Sequence, residues 1–315
     1  MKIFYSMDEA SQWQASQGCV VTIGNFDGVH MGHQQVLAEL KGHALMQRGL
    51  SVVVTFEPHP RAVLFPDEAH RRLVDSQEKL RLLAQAQVDA VLVLPFNRTF
   101  AALSAEQFMR EMHQALHFSH IHVGYDFAFG QGREGHVSTL RPLGDQLDFT
   151  VSEAAAFEML GAVVSSSRIR SAIEAADFEL GKRLLGRDYS MTGTVIHGAK
   201  RGRTIGFPTA NIDVENLTHP PVGIYAIEAN FLIENGDIER QFHGAAYLGY
   251  RPTFNGRTLM LESHLFDCEL DLYDQRLHVS FVQRIREDRA FTGADDLACQ
   301  IAKDCQRARE ILAKA

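Results

Sequence analysis

Short apolar runs alternate with helical periodicity along the first half of the chain. The runs are rich in β-branched and leucine side chains and predict buried strands at residues 19–23, 51–56, 90–94, 121–123 and 149–151. Between them, helical spacing predicts a helix at residues 33–48, a second after Ser76 as far as residue 85, and a third after Ser104 as far as residue 115. Apolar strands that alternate with helices are typical of an α/β fold, in which a parallel sheet is covered on both faces.

The ends of these helices carry recognisable residues. Ser76 and Ser104 are predicted N-caps, because a serine hydroxyl accepts a hydrogen bond from a free backbone N–H of the first turn. Gly49 lies where the C′ glycine of the first helix belongs. That helix is predicted to pack through one apolar face, made by Val36, Leu37, Leu40, Ala44 and Leu45.

The pattern changes near residue 185. A helical stretch at residues 167–185 precedes glycine-punctuated strands at residues 192–196, 223–231, 244–249, 259–270 and 277–282. Strands without helical periodicity between them predict a small antiparallel β-barrel, and periodic apolar positions at residues 294–312 predict a terminal helix. We therefore expect two domains, residues 1–185 and 186–315.

Composition narrows the class of protein. The 315 residues are 45% hydrophobic with a net charge of −8, which predicts a globular chain too acidic for general nucleic-acid binding. The four cysteines have no CxxC spacing, so we expect free thiols in a reducing cytoplasm. The acidic N-terminus does not resemble a secretory signal, and no apolar run approaches the roughly 18 residues that span a bilayer. These features predict a cytoplasmic protein without a membrane partner, and none predicts an oligomeric state.

Residues 24–33, GNFDGVHMGH, lie between the first predicted buried strand and the first predicted helix. Ligands of parallel sheets bind beyond the carboxyl ends of the strands, and a helix start offers free N–H groups and a positive dipole to an anion. Gly24, Gly28 and Gly32 allow a phosphate to approach the backbone, and His30 and His33 are spaced to face one phosphate. The alternatives are two surface histidines or half of a metal site.

Two further segments of the first half favour phosphate chemistry. Residues 165–170, SSSRIR, place hydroxyls and guanidiniums near a helix start, although a capped helix with solvated arginines has the same pattern. Residues 124–135, GYDFAFGQGREG, form a glycine-rich loop with three aromatic side chains, for which a plain surface loop is the alternative.

The second half contains a basic, glycine-spaced stretch that ends in Phe-Pro-Thr-Ala-Asn at residues 207–211. Lys200 with its neighbouring arginines could wrap phosphates, or could form a solvated hairpin. Thr209 and Asn211 are two residues apart on an extended stretch and point the same way, as suits two oxygen ligands of Mg²⁺. Glu262 is a single acid in an apolar strand, which is either a paired or edge residue or a base for a hydroxyl nucleophile.

In this order and spacing, GNFDGVHMGH, VGYDFAFGQGREG and SSSRIR resemble the adenylyltransferase module of the bacterial bifunctional riboflavin kinase/FMN adenylyltransferase (FAD synthetase) family. The resemblance implies a Rossmann-like nucleotidyltransferase domain. It places ATP at Gly24, Phe26, Asp27, Gly28, His30, His33, Ser166 and Arg168. It places the flavin at Asn25, Phe56, Pro58, His59, Asp126 and Phe127, and it makes His30 and His33 catalytic.

The second half resembles the riboflavin kinase of the same family through RGRTIGFPTANI, LGYRPTF and LESHLFD. The resemblance implies a kinase ATP site at Gly198, Lys200, Gly206, Pro208, Thr209 and Asn211. It implies that Thr209 and Asn211 hold Mg²⁺, that Glu262 is the base, and that Arg286 lies near the flavin with Glu262. Leu261 and Asp274 depart from the family pattern without touching the proposed chemistry.

The expected function is FAD synthesis in two steps. Riboflavin and ATP would give FMN, and FMN with a second ATP would give FAD and pyrophosphate, with Mg²⁺ as cofactor. Three alternatives remain at this point: an enzyme with one decayed site, a flavin- or nucleotide-binding regulator without turnover, and a cytidylyltransferase for another phosphate ester.

Overall fold

The computed structural model describes residues 1–13, 18–68, 70–197, 206–214, 216–232, 238–253 and 256–314. The chain forms two compact units. The first comprises Met1–His70 and Ser76–Ser165, and the second comprises Arg71–Asp75 and Ser166–Ala315. The predicted domain boundary at residues 185/186 stays a prediction.

The first unit is built on a parallel sheet, as predicted, and this sheet has six strands rather than the five expected. In chain order its strands are β1 (Lys2–Phe4), β2 (Cys19–Ile23), β3 (Leu50–Glu57), β4 (Ala90–Pro95), β5 (Phe118–Val123) and β6 (Thr150–Glu153). Their order across the sheet is β1-β4-β3-β2-β5-β6. The short edge strand β1 was not expected from the sequence, because its side chains are mostly exposed and carry no buried pattern.

The helices of the first unit are α1 (Met7–Ser11), α2 (Met31–Met46), α3 (Pro60–Leu64), α4 (Ser76–Gln85), α5 (Arg98–Ala101), α6 (Ala105–Leu116) and α7 (Val137–Leu147). Of these, α1, α6 and α7 pack on the sheet around a core that includes Val21, Val54, Leu92 and Ile121, and α2 contacts β2, β3 and β5. A two-stranded hairpin, β7 (Glu158–Met159) with β8 (Ala162–Val163), follows β6. Ser104 caps α6 as predicted, in a capping box with Gln107, whereas Ser76 is the first residue of α4.

Helix α2 differs from the prediction at both ends. It begins at Met31, because His30 rather than a later residue is its N-cap. At its C-terminus Arg48, not Gly49, has the left-handed conformation, with φ of +53°, and the Gly49 N–H bonds to the carbonyl of Ala44 at 2.8 Å. This is a Schellman motif in which Gly49 lies one position later than predicted. Leu45 was also wrongly placed on the packing face, because it is 79% exposed.

The second unit contains the predicted antiparallel barrel. It is closed by six strands, β9 (Ser190–Ile196), β10 (Ala210–Asp213), β11 (Gly223–Leu232), β12 (Ile238–Thr253), β13 (Gly256–Leu265) and β14 (Arg276–Glu287). They follow one another around the barrel as β10-β13-β12-β11-β14-β9. The predicted helical stretch before the barrel is divided into α8 (Ser166–Glu174) and α9 (Phe178–Leu185), since Ala176 has a φ of +57°.

The terminal helix α10 (Ala294–Leu312) has the predicted bounds. It packs on one face of the barrel through Ala308 and Ile311, against Ala226 and Ala245. Arg286 on β14 fixes it with a bidentate ion pair, in which Nη2 lies 2.7 Å from Oδ2 of the buried Asp304. The segment Arg71–Asp75 belongs to the same unit. Its Arg72 forms an isolated parallel β-bridge with Leu217.

The cysteines within the described ranges are free, as predicted. Among the residues that the structure describes, no helix has both the length and the apolar character needed to cross a membrane.

The ion pair of Arg286 with Asp304 yields a stability prediction. Replacing Asp304 by Ala leaves a largely buried guanidinium without its partner, and we expect the free energy of unfolding to fall by about 2–3 kcal/mol. Urea unfolding followed by circular dichroism measures this change. Lys303→Ala, an exposed neighbour on the same helix, is the matched control and should alter stability by less than about 0.5 kcal/mol. Equal effects of the two substitutions would refute the assignment.

Candidate active sites

The loop at residues 24–30, which is predicted to bind phosphate and is called the phosphate loop below, leaves the carboxyl end of β2 and leads directly into α2. Its backbone is unusual: Phe26, Gly28 and Val29 have φ values of +49°, +82° and +39°. Left-handed conformations at two non-glycine residues are costly, and the surrounding structure retains them because both side chains are only 2% exposed. The loop is therefore a rigid turn that directs backbone groups toward the start of α2.

His30 and His33 lie together at that helix start. His30 is the N-cap of α2, and its Nδ1 accepts the backbone N–H of His33 at 3.3 Å. The two imidazole rings stack with centroids 3.6 Å apart and planes inclined by 15°. Because Nδ1 of His30 is used as the acceptor, its proton is on Nε2, which is then a donor. The structure thus joins two imidazoles and a helix dipole at one point, as an anion site requires.

The three glycines of the motif have different roles. Only Gly28 has a positive φ, so it alone needs glycine for its conformation. A Cβ at Gly24 would lie 3.0 Å from the Phe26 ring, and a Cβ at Gly32 would lie 3.3 Å from the His30 ring. Gly24 and Gly32 therefore permit close packing of the loop's own side chains; that they also let a phosphate approach the backbone stays a prediction.

A buried lysine lies at the carboxyl end of the neighbouring strand β3. Lys79 on α4 donates to Oγ1 of Thr55 at 3.3 Å and to the carbonyl of Phe56 at 3.1 Å. Thr55 in turn donates to the carbonyl of Asn25 in the phosphate loop at 3.3 Å. This cation beside the loop was missed, because the periodicity placed Lys79 in a helix but did not show that it faces the sheet. Asn25 itself is exposed.

The residues with a predicted flavin role fall into two groups. Phe56 and Phe127 belong to one aromatic cluster, linked through Phe108 and Phe129: the Phe56–Phe108, Phe108–Phe129 and Phe129–Phe127 centroids are 6.5, 6.1 and 5.0 Å apart. Phe108 and Phe129 belong to the buried core, whereas Phe56 and Phe127 are only partly buried, so these two are the members of the cluster that a flat ring system could contact. By contrast, the side chain of His59 caps α3: its Nδ1 accepts the backbone N–H of Arg61 at 3.2 Å.

The glycine-rich loop at residues 124–135 is packed against the start of α6. A Cβ at Gly130 would lie 2.6 Å from the backbone nitrogen of Ala105, and Glu134 accepts the Ala105 N–H at 3.0 Å. Asp126 is exposed at the other end of the loop. Burial, and secondarily the charge of Asp126, raise the pKa of the adjacent Tyr125. The loop is an ordered platform that presents Asp126 and Phe127 rather than a loose connection.

Ser166 and Arg168 lie in the first turn of α8, in the second unit. Arg170 of the same motif donates through Nε to the carbonyl of Arg71 at 2.9 Å, which holds Arg71–Asp75 within that unit. The predicted roles of Ser166 and Arg168 toward ATP stay predictions, as does the role of the exposed Pro58 toward the flavin.

In the second unit, one rung of the barrel brings together two predicted kinase residues. Asn211 on β10 lies directly opposite Glu262 on β13, and Tyr247 on β12 lies opposite Glu262 on its other side. Directly opposed residues of antiparallel strands point to the same face. Asn211 and Glu262 are only 7% and 9% exposed. The barrel therefore places an amide and a carboxylate side by side in a largely desolvated position. Asn211 donates through Nδ2 to the carbonyl of Thr209 at 3.3 Å. This hydrogen bond links Thr209, a third predicted kinase residue, to the pair of Asn211 and Glu262.

Arg251 and Tyr247 complete this rung and were not singled out from the sequence. Arg251 forms a short ion pair with Glu262, and the Tyr247 hydroxyl donates to Oδ2 of Asp288 at 2.9 Å. Burial, followed by Asp288, raises the pKa of Tyr247 to about 12. The alternation of Tyr247, Gly249 and Arg251 within the YLGYR segment could have revealed that all three share the face of Glu262.

The remaining predicted kinase residues are dispersed. Arg286 is on β14, which is not adjacent to β13, and its side chain is engaged by Asp304. The strand pairing therefore does not join it to Glu262. Gly206 has a φ of +87°, and the carbonyl of the exposed Pro208 contacts Nδ1 of His264 at 2.8 Å. Gly198 and Lys200 lie outside the described residues.

A phosphate loop on a parallel sheet and a carboxylate–amide pair on a closed barrel define a transferase with two sites for phosphate chemistry. Comparison with protein-family models agrees with this division. Residues 12–168 match the model of FAD synthetase, and residues 185–312 match the model of riboflavin kinase.

Curated relatives match over nearly the whole chain. The bifunctional riboflavin kinase/FMN adenylyltransferase of Haemophilus influenzae is 40% identical, over 93% of this chain and 94% of its own. The Escherichia coli K12 protein of the same name is 39% identical, over 98% and 97%. The chain belongs to this family.

A solved structure shares the fold of the whole chain. The crystal structure of a macrolide-efflux protein from Streptococcus pneumoniae is 28% identical, covers 98% of both chains and has a TM-score of 0.81. This similarity supports the fold of this chain. The word efflux belongs to the name of the Streptococcus pneumoniae protein and is not carried over to this chain.

Two glycines of α2 provide a matched test of the phosphate loop. We expect Gly32→Ala to displace the His30 ring and to slow FAD formation from FMN and ATP about tenfold, because catalysis by positioning is sensitive to small shifts. Gly42→Ala should retain the rate and stabilise the helix by about 0.5–1 kcal/mol, since a Cβ there meets nothing within 4 Å. Initial rates of FAD formation and unfolding curves, measured for both variants, test these two expectations. A Gly32→Ala variant at full rate would show that His30 does not need its observed position.

Proposed function

We propose that the barrel phosphorylates riboflavin to FMN and that the N-terminal unit then adenylylates FMN to FAD, with ATP as the donor in both steps. The two activities follow from the family to which the chain belongs. The observation that carries their assignment is the presence of two separate constellations, the stacked histidines at the start of α2 and the Asn211–Glu262 rung of the barrel. The presence of both also argues against a chain with one decayed site.

In adenylyl transfer, a phosphate oxygen of FMN attacks the α-phosphorus of ATP and pyrophosphate leaves, without a covalent enzyme intermediate. The charge that develops on the phosphates is met by donors already in position. We assign this role to Nε2 of His30, the ring of His33 and backbone N–H groups at the start of α2. The aromatic cluster with Phe56 and Phe127 would hold the isoalloxazine ring, and Ser166 and Arg168 would meet the ATP phosphates.

In the kinase step, Glu262 accepts the proton of the riboflavin 5′-hydroxyl as this oxygen attacks the γ-phosphorus of ATP. The carboxylate must be ionised and must be released from Arg251 when the hydroxyl arrives. The guanidinium of Arg251 would then be free to approach the transferred phosphoryl group, to which its forked donors are suited. Gly198, Lys200, Gly206 and Pro208 would cover the nucleotide, and Arg286 would act at the flavin.

The residues present fit a Mg²⁺ ion. Asn211 uses its amide nitrogen toward the Thr209 carbonyl, which turns its Oδ1 the other way, and the Thr209 side chain offers a hydroxyl. Neutral oxygens are suitable ligands for Mg²⁺, which keeps waters and takes its other ligands from ATP. When bound, the ion would neutralise phosphate charge.

The functional division near residues 185/186 rests on the two family models, of which the first ends at residue 168 and the second begins at residue 185. The acidic net charge of −8 supports small-molecule substrates rather than nucleic acid, and the sparse cysteines support a cytoplasmic location.

A pair of substitutions assigns the two activities. We expect Glu262→Ala to abolish FMN formation from riboflavin, because the base is lost, while conversion of added FMN to FAD continues. His30→Ala or His33→Ala should show the reverse. Chromatography of flavins after incubation with ATP and Mg²⁺ measures both steps. The two-site assignment fails if either substitution removes both activities from a protein that is still folded.

The role of Thr209 is tested through its hydroxyl. Thr209→Ala should require about tenfold more Mg²⁺ for half-maximal kinase activity, corresponding to roughly 1.4 kcal/mol of lost binding. Thr209→Ser keeps the hydroxyl and should keep the Mg²⁺ requirement. Titration of Mg²⁺ at saturating ATP gives the value for each variant. An unchanged requirement in Thr209→Ala would remove this residue from the metal site.

A further inference from the structure

A cluster of three histidines lies in the first unit, away from the phosphate loop. His120 and His122 alternate on β5 and share one face of the sheet, and His43 approaches them from the C-terminal part of α2. One ligand nitrogen of each histidine lies within 4.8 Å of the others. Neither the family's two activities nor the sequence motifs use these residues.

The three imidazoles converge on a single hydroxyl. Oγ of Ser152 on β6 lies 2.7 Å from Nε2 of His120, 2.7 Å from Nδ1 of His122 and 3.4 Å from Nε2 of His43. A serine hydroxyl has one hydrogen, so it can donate to only one of these nitrogens. The other two histidine nitrogens can form a hydrogen bond with Ser152 only if each carries a hydrogen that it donates to Oγ.

The outer partners of the rings set their tautomers. Nε2 of His122 faces Oε2 of Glu39 at 2.9 Å, and a carboxylate can only accept there, so the hydrogen of the neutral ring is on Nε2. Nδ1 of His120 lies 2.7 Å from Oγ1 of Thr150, and the Thr150 hydroxyl also lies 3.4 Å from the carbonyl of Ser119. In the arrangement in which Thr150 donates to that carbonyl, its oxygen accepts from His120, and the hydrogen of the His120 ring is on Nδ1.

Two imidazole lone pairs are consequently aimed at a centre that holds only one hydroxyl hydrogen. A carboxylate–histidine pair such as Glu39 with His122 is the usual outer support of a metal-bound imidazole. We propose that His43, His120 and His122 bind one divalent transition-metal ion of the Zn²⁺ type, with Ser152 or a water as the fourth ligand.

The geometry needs only a small contraction. Ligand nitrogens around a tetrahedral zinc are roughly 3.3 Å apart, compared with at most 4.8 Å here. His43 is the half-buried member with the longest contact to Ser152, so its side chain closes the site. Nitrogen ligands select zinc-like ions over Mg²⁺ and Ca²⁺, which prefer oxygen.

The protonation states agree with metal binding. Burial lowers the pKa of His120 to about 4, and burial also lowers the pKa of His122 against the opposing charge of Glu39. Both rings are therefore neutral at physiological pH and do not have to lose a proton to coordinate a cation.

The site is structural rather than catalytic. His43 is 13 residues beyond His30, which is about 20 Å along α2. A bound ion would fasten the C-terminal part of α2 to β5 at the distant end of the helix that carries the phosphate loop. Metal loading should therefore raise the melting temperature without changing the rate of FAD formation.

The experiment uses the full chain stripped of metal with a chelator and titrated with Zn²⁺ in competition with an indicator dye. We expect about one tight equivalent, a rise in melting temperature, and, with Co²⁺ as the probe, visible ligand-field absorption of a tetrahedral site. His43→Gln should weaken binding at least tenfold, and Glu39→Gln should weaken it about 10- to 100-fold as an outer-shell change does. His113→Gln is the matched control, because His113 is also half-buried in the last turn of a helix.

Three results would overturn the proposal. The first is a wild-type chain that binds no Zn²⁺ more tightly than the dye. The second is tight binding that survives His43→Gln but is lost in His33→Ala, which would place the ion on the stacked pair of the phosphate loop.

The third comes from Ser152→Ala, which tests the centre itself. This substitution should lower the melting temperature of the metal-free protein, and Zn²⁺ should restore the melting temperature because water replaces the hydroxyl. Failure of Zn²⁺ to stabilise this variant would mean that Ser152 merely centres a hydrogen-bond network.

Discussion

The hydrogen bond from the His33 backbone to Nδ1 of His30 is the contact on which the N-terminal site depends. It starts α2, fixes the tautomer of His30 and brings the two rings into their stack. The left-handed residues Phe26 and Val29 hold the loop so that this bond can form. His30 thus ends a turn and caps a helix, and we propose that it also presents a donor to phosphate at the point where the dipole of α2 acts.

In the barrel, the register of the strands fixes the position of the candidate site. The register of the barrel sets Glu262 opposite Asn211 on one adjacent strand and opposite Tyr247 on the other. Gly249 allows the Tyr247 ring to lie over the backbone, since a Cβ there would collide with the ring. In both units backbone geometry fixes the side chain to which we assign the chemistry, and positioning of this kind can catalyse group transfer without a covalent intermediate.

The sequence predicted the parallel sheet, the barrel and the terminal helix, because each has a strong period of apolar positions. It missed β1, which has no buried pattern, and placed Gly49 and Leu45 wrongly, because helix ends depend on local bonds that periodicity does not contain. Lys79 and Arg251 were missed for a related reason: their importance comes from neighbours on other elements. The His43, His120 and His122 cluster likewise has no sequence spacing of its own, since α2 and β5 meet only in the folded sheet.

The central claim is that one chain holds two sites that work independently. Mixing two inactive partners tests it most directly: a Glu262→Ala chain and a His33→Ala chain are combined with riboflavin, ATP and Mg²⁺. The account predicts that neither variant alone makes FAD from riboflavin, and that the mixture makes FAD after a lag in which FMN accumulates. A mixture that accumulates FMN but forms no FAD, although the Glu262→Ala chain converts added FMN, would contradict independent sites linked by released FMN.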